Sequence, residues 1–64
     1  MTPKEIIRIL ESRGFVLKRI NGSHHIFYHA TLKKMTVVPL HKKDLPLGTY
    51  NAILKQAGID KKDI

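Results

Sequence analysis

The pair Asn21-Gly22 constrains this chain more than any other feature. Both residue types tolerate positive φ, so the pair is a strong tight-turn signal between strands. Before it, Phe15-Val16-Leu17-Lys18-Arg19-Ile20 is rich in β formers. After it, a second strand is predicted from Ser23 or His24 to about His29. Side chains alternate along a strand, so His24, Ile26 and Tyr28 point one way and His25, Phe27 and His29 the other. Both sets mix apolar and imidazole groups, so periodicity leaves open which face is the core.

The flanking segments read as helices. Thr2-Pro3-Lys4-Glu5 is a start signal: Thr2 caps, Pro3 suits the first helical position and Glu5 completes a capping box. Ile6, Ile7 and Leu10 recur at helical spacing and Ile9 widens the stripe. Gly14 stops this helix, predicted over Pro3 to Arg13, and Phe15 folds back on its last turn. Ala30-Thr31-Leu32-Lys33-Lys34 is a second hairpin loop, and Met35 to Val38 is a third strand ended by Pro39, which lacks an N–H. Leu40-His41-Lys42-Lys43-Asp44 is a polar, basic loop. A second helix is predicted over Leu47 to Ala57, with Tyr50, Ile53, Leu54 and Ala57 as its apolar set, Gly58 as its stop and Ile59 packing back. Asp60 to Ile64 forms one more turn or frays. The order α-β-β-β-α implies an α+β fold: a three-stranded antiparallel sheet with two helices on one face and the other face open. Residues 1–64 make one domain, with no repeat, linker or low-complexity segment.

Charge narrows the partners. The 64 residues hold 12 Lys and Arg against 5 Asp and Glu, a net charge of +7. A polyanion is the natural partner, and nucleic acid is the commonest one. An acidic protein satisfies the same charge. There are no cysteines, which excludes disulfides and thiolate metal sites and fits a reducing compartment. No stretch approaches the roughly 20 apolar residues of a membrane span. The N-terminus lacks the apolar core of a signal peptide, so the expected location is the cytoplasm.

Three of the four histidines lie in Gly22-Ser23-His24-His25-Ile26-Phe27-Tyr28-His29. Histidine is the side chain best suited to proton transfer near neutral pH. Gly22 and Ser23 shape a turn that aims His24 from the start of a strand. One histidine can serve as general acid or base in cleaving RNA, because the 2′-OH of the RNA supplies the nucleophile and no metal is obligatory. Against this stands a strand histidine that is simply hydrogen-bonded and half-buried. His25 is the second candidate, on the opposite face. Its i, i+2 partner His29 makes a weak metal signal without a carboxylate or cysteine nearby, so no metal and no cofactor are expected. His41 is placed to contact phosphate or to act as a second proton-transfer group, with an idle loop histidine as the alternative. Lys18, Arg19, Lys33, Lys34, Lys42, Lys43 and Lys55 are spread over strand ends, loops and the second helix. Charges beside an open sheet suit phosphate tracking, and some of them are only a solvated surface. Tyr28 is a candidate to stack on a base, or half-buried packing. Asp44, Asp60 and Asp63 form no carboxylate cluster of the kind a two-metal nuclease needs.

Gly22-Ser23-His24-His25-Ile26-Phe27, Val38-Pro39-Leu40-His41, Leu45-Pro46-Leu47-Gly48-Thr49 and Ile53-Leu54-Lys55-Gln56-Ala57-Gly58-Ile59 together resemble the HicA toxins, the mRNA-interferase halves of HicA–HicB toxin–antitoxin modules. The resemblance runs from the first helix to Ile59. It implies a fold like the double-stranded-RNA-binding domain, a metal-independent ribonuclease acting on mRNA rather than directly on DNA, and neutralisation by a HicB-type antitoxin that covers the site. The family's catalytic histidine follows the Gly-Ser pair, which carries over onto His24. Gly22 matches the glycine that shapes the turn, and His41 matches a histidine of the family's Pro-x-His segment. Two other classes compete with the endoribonuclease: a non-catalytic basic RNA-binding module, and a protein whose main role is to form a complex with an acidic antitoxin. Only turnover separates the first from the enzyme.

Overall fold

The computed structural model describes residues 1–41 and 43–64; Lys42, one of the candidate phosphate contacts, lies outside the described residues. The elements are α1 (Pro3–Ser12), β1 (Val16–Asn21), β2 (His24–His29), β3 (Lys34–Pro39), α2 (Leu47–Ala57) and a closing 3₁₀ turn (Lys61–Asp63). The α+β order α-β-β-β-α is the expected one. The sheet is an antiparallel meander in the order β1-β2-β3.

Helix α1 starts, and both helices stop, where local chemistry dictates. At α1 the Glu5 N–H donates to Thr2 Oγ1 at 3.2 Å, and the Thr2 N–H donates to Glu5 Oε1 at 2.9 Å. These two bonds satisfy donors that a helix start otherwise leaves orphaned. Helix α1 ends at Ser12 with Arg13 as its cap, one residue short of the expected end. Gly14 then takes φ +92°, and the Phe15 N–H donates back to the Leu10 carbonyl at 3.0 Å. Phe15 therefore belongs to the core rather than to β1, which begins at Val16. Helix α2 ends in the same way, with Gly58 at φ +71° and the Ile59 N–H donating to the Leu54 carbonyl at 2.9 Å. The last residues are tied down. Asp60 caps the 3₁₀ turn, and Arg13 Nη2 donates to the Asp63 carbonyl at 2.9 Å.

The register assigns the two faces. Rows Leu17–Phe27–Thr36 and Ile20–His25–Val38 lie on one face; Val16–Tyr28–Met35, Arg19–Ile26–Val37 and Asn21–His24–Pro39 lie on the other. Phe27 and Val38 join Ile6, Leu10, Phe15, Leu45, Ile53, Leu54, Ala57 and Ile59 in the core, so the Phe27 face is the one beneath the helices. The ambiguity between the two faces of β2 is thereby resolved. Helix α2 packs chiefly on β3, with α1 beside it. Strand β1, at the edge away from β3, is exposed along its whole length. A bulge between Leu17 and Arg19 adds one residue to β1. It breaks strict alternation, so Lys18 and Arg19 both fall on the open face. The Lys18 ammonium stands 5.0 Å from the centre of the Tyr28 ring, and Arg19 pairs with Ile26.

Candidate functional site

Strand alternation sends the three clustered histidines to three environments. His24, first residue of β2, is exposed on the open face, and its ring has no hydrogen-bond partner among the described residues. His25 is half-buried on the helix side, with Nδ1 3.2 Å from the Ser23 carbonyl oxygen. A carbonyl can only accept, so the ring proton sits on Nδ1 and the lone pair of the neutral ring is on Nε2. His29 holds the second hairpin together. Its Nδ1 accepts from the Leu32 N–H at 3.1 Å, and its ring meets Phe15 edge-on at 5.2 Å. The ring also lies so close to Gly14 that a Cβ there would sit 2.8 Å from His29 Nε2. Among the described residues no three His, Asp or Glu side chains converge as a metal-binding group.

Gly22 has φ +61°, which supplies the turn before β2. Ser23 is half-buried, and its carbonyl accepts from the Leu40 N–H at 2.7 Å. That bond carries the pairing of His24 with Pro39 one step beyond β3. The loop leading to His41 therefore leaves the sheet at the His24 end. His41 itself is exposed and lines a cleft of about 660 Å³ with Thr2, Pro3, Lys4 and Leu40, between the start of α1 and the loop after β3. His24 and His41 thus share one end of the molecule.

The basic side chains divide likewise. Lys18 and Arg19 flank the open face, brought to the same side by the bulge. Lys33 is exposed in the β2–β3 turn, where it takes φ +54° in place of a glycine. Lys34 is different: its Nζ would lie 2.7 Å from a Cβ at Gly58, so the ammonium sits at the C-terminus of α2, where the helix dipole favours a cation. Lys43, in the loop before α2, and Lys55, on α2, are both exposed. All five acidic residues (Glu5, Glu11, Asp44, Asp60 and Asp63) lie outside residues 12–43, so the whole sheet is free of carboxylate side chains. The Leu17–Arg19 bulge and the Lys18–Tyr28 pairing were not foreseeable from the alternating pattern. The acid-free run was open to inspection.

A small α+β domain with an acid-free sheet, one open face and an unengaged histidine on that face defines a class of small, strongly basic proteins. The family model described as the HicA toxin of bacterial toxin–antitoxin modules matches residues 3–59 of the chain, which belongs to that family. Its role is therefore that of the toxin in a toxin–antitoxin pair. A search of curated proteins finds no match. No helix among the described residues is long and apolar enough to cross a membrane.

Proposed function

We propose that this toxin is an endoribonuclease that cleaves mRNA, with His24 as its general acid or base. The observation that carries the reading is the position of His24. It is the one strand histidine whose ring is exposed, without a hydrogen-bond partner among the described residues, and on the same face as Lys18 and Arg19. His25 and His29 each spend a ring nitrogen on the backbone.

The chemistry asks little of the protein beyond positioning and proton transfer. The 2′-oxygen of the RNA attacks the adjacent phosphorus, a new O2′–P bond forms and the P–O5′ bond breaks. His24 either takes the proton leaving the 2′-OH or gives one to the departing 5′-oxygen, and water or a second group such as His41 handles the other proton. The products carry a 2′,3′-cyclic phosphate and a 5′-OH. Lys18, Arg19, Lys33 and Lys43 hold the phosphate backbone, joined by Lys42. Lys34 contributes only if its ammonium leaves the end of α2. Because the RNA brings its own nucleophile, the route requires no metal. A HicB-type antitoxin working in the cytoplasm neutralises the enzyme by covering this face.

Cleavage of an mRNA by wild type, His24→Ala and His25→Ala, with EDTA throughout, tests the reading. The expected result is a loss of about 10²–10⁴-fold in rate for His24→Ala, with cleavage retained in His25→Ala. Undiminished cutting by His24→Ala would transfer the role to His25 or His41. RNA binding by wild type with no turnover would make the protein a binding module, and products ending in 5′-phosphate would contradict the 2′-OH route.

A further inference from the structure

The open face holds more than a histidine and two cations. Its three rows are Val16–Tyr28–Met35, Arg19–Ile26–Val37 and Asn21–His24–Pro39. Val16, Met35 and Val37 are exposed, while Ile26 is buried at the centre of the face and takes no part in the core cluster. Tyr28 and His24 lie four residues apart on one strand, a span of roughly 13 Å at about 3.3 Å per residue. The result is an apolar floor with an aromatic ring at one end, an imidazole at the other and cations along the β1 side.

We infer that this face is a platform for the bases of unpaired RNA, with Tyr28 as the stacking ring and Lys18 and Arg19 gripping the phosphates beside it. The inference rests on the ribonuclease reading for the identity of the polyanion, and deepens it by naming the substrate form and the surface. Three observations support it. First, the sheet carries no carboxylate to repel a phosphate backbone. Second, the bulge sets two consecutive cations on one side of the apolar floor, where strict alternation would have split them. Third, exposed Val16, Met35 and Val37 have nothing to offer a duplex. In an A-form helix the base faces are stacked inside, and the accessible minor groove shows hydroxyls and base edges. An apolar floor gains contact only from base faces laid open, as in a single strand. The Lys18 ammonium resting over Tyr28 yields the ring to a base and moves to that nucleotide's phosphate.

The test is anisotropy with wild-type protein and a labelled, 2′-O-methylated RNA, which has no free 2′-OH to react. It compares the free strand with the same strand annealed to its complement. The expected result is at least tenfold tighter binding of the unpaired strand. Tyr28→Ala weakens it by about tenfold, the low end of stacking being near fivefold and the high end above a hundredfold. Val37→Glu, at an exposed site that does not affect the core, weakens it comparably and serves where Tyr28→Ala unfolds. Lys18→Ala/Arg19→Ala reduces the slope of log affinity against log salt by about 1.4, at about 0.7 per phosphate contact on a single strand. Arg8→Ala, on exposed α1, stays within twofold. Equal or tighter duplex binding overturns the platform, and so does a larger loss from Arg8→Ala than from the open-face variants. Variants that keep full RNA affinity while losing an acidic antitoxin also overturn it, by making this face a protein-docking surface. Cleavage of unmodified RNA, assayed separately, keeps the two ideas apart. Cutting without strand preference sinks the platform alone, and preference without cutting sinks the nuclease alone.

Discussion

On the covered face of the sheet Phe27, Thr36 and Val38 are 2%, 1% and 0% exposed, whereas Met35 and Val37, interleaved with them on the open face, are 47% and 37% exposed. Met35 to Val38 alternate along β3, and Phe27 lies beside Thr36 on β2. What separates them is which side the helices occupy. The comparison shows how adjacent residues come to play different parts. His24 and His25 share a backbone and a residue type, yet one meets solvent and the other packs on the helix side. Phe27 is likewise buried beneath the helices, while its neighbour Tyr28 is half-buried on the open face. The covered face carries stability, and the open face stays in contact with solvent.

Breaking the covered face should produce the largest effect. Phe27→Ala removes the largest fully buried side chain of the sheet, a change that costs about 3–5 kcal/mol in a packed core. At about 0.05–0.15 kcal/mol per residue, a chain of this length has roughly 3–10 kcal/mol in total, so the variant should lose about half or more of its stability. Met35→Ala, next to it in the pairing but on the open face, should stay within about 0.5 kcal/mol of wild type. Urea denaturation of both variants makes the measurement. Equal losses would mean that the two faces are not energetically distinct.

A polar test sharpens the same contrast at smaller amplitude. Thr36 is the buried polar side chain of the covered face, and its hydroxyl donates to Gln56 Oε1 on α2 at 2.8 Å. Gln56→Ala leaves that hydroxyl buried without a partner and should cost about 1–3 kcal/mol. Thr36→Val should cost less, because the amide of exposed Gln56 returns to water while an apolar group fills the site. A larger loss for Thr36→Val than for Gln56→Ala in chemical denaturation would reject this account of the bond.

The ends of the elements were legible because they depend on local chemistry. Thr2-Pro3-Lys4-Glu5, Gly14-Phe15 and Gly58-Ile59 do what their residue types dictate with no help from the rest of the chain. The facing of β2 was not legible, because an alternating pattern with imidazole and apolar groups on both sides becomes informative only once α1 and α2 are docked. The bulge was hidden for a similar reason. Lys18 and Arg19 are interchangeable in any polarity pattern, so an added residue between Leu17 and Ile20 leaves no trace in it. The β2–β3 turn lacks glycine because Lys33 accepts the positive φ and His29 closes the loop through the Leu32 N–H. Such a side-chain role is invisible until the ring is placed. For the candidate site, Gly22-Ser23-His24 could be read from order alone, and the separation of Lys34 from Lys18 and Arg19 required the packing of β3 against α2.

The smallest predicted effect concerns the start of α1, on the covered side and away from the open face. Thr2→Ala removes the side-chain cap and should cost about 1 kcal/mol, with RNA binding unchanged if the open face is the ligand surface. The backbone N–H of Thr2, its hydroxyl and nearby positive charge hold the Glu5 carboxyl below its ordinary value of 4.5. A carboxyl whose folded value is lowered stabilises the protein above its unfolded value, and that contribution fades as pH falls through the folded one. Glu5→Gln keeps a group able to accept from the Thr2 N–H but cannot titrate. Wild type should therefore exceed Glu5→Gln in urea midpoint at pH 6, and the gap should close as pH drops below the ordinary value of 4.5. Parallel curves over that range would show that the carboxylate charge adds nothing to the cap. A fall in RNA affinity at pH 6 in either variant would show that the covered side reaches the ligand after all.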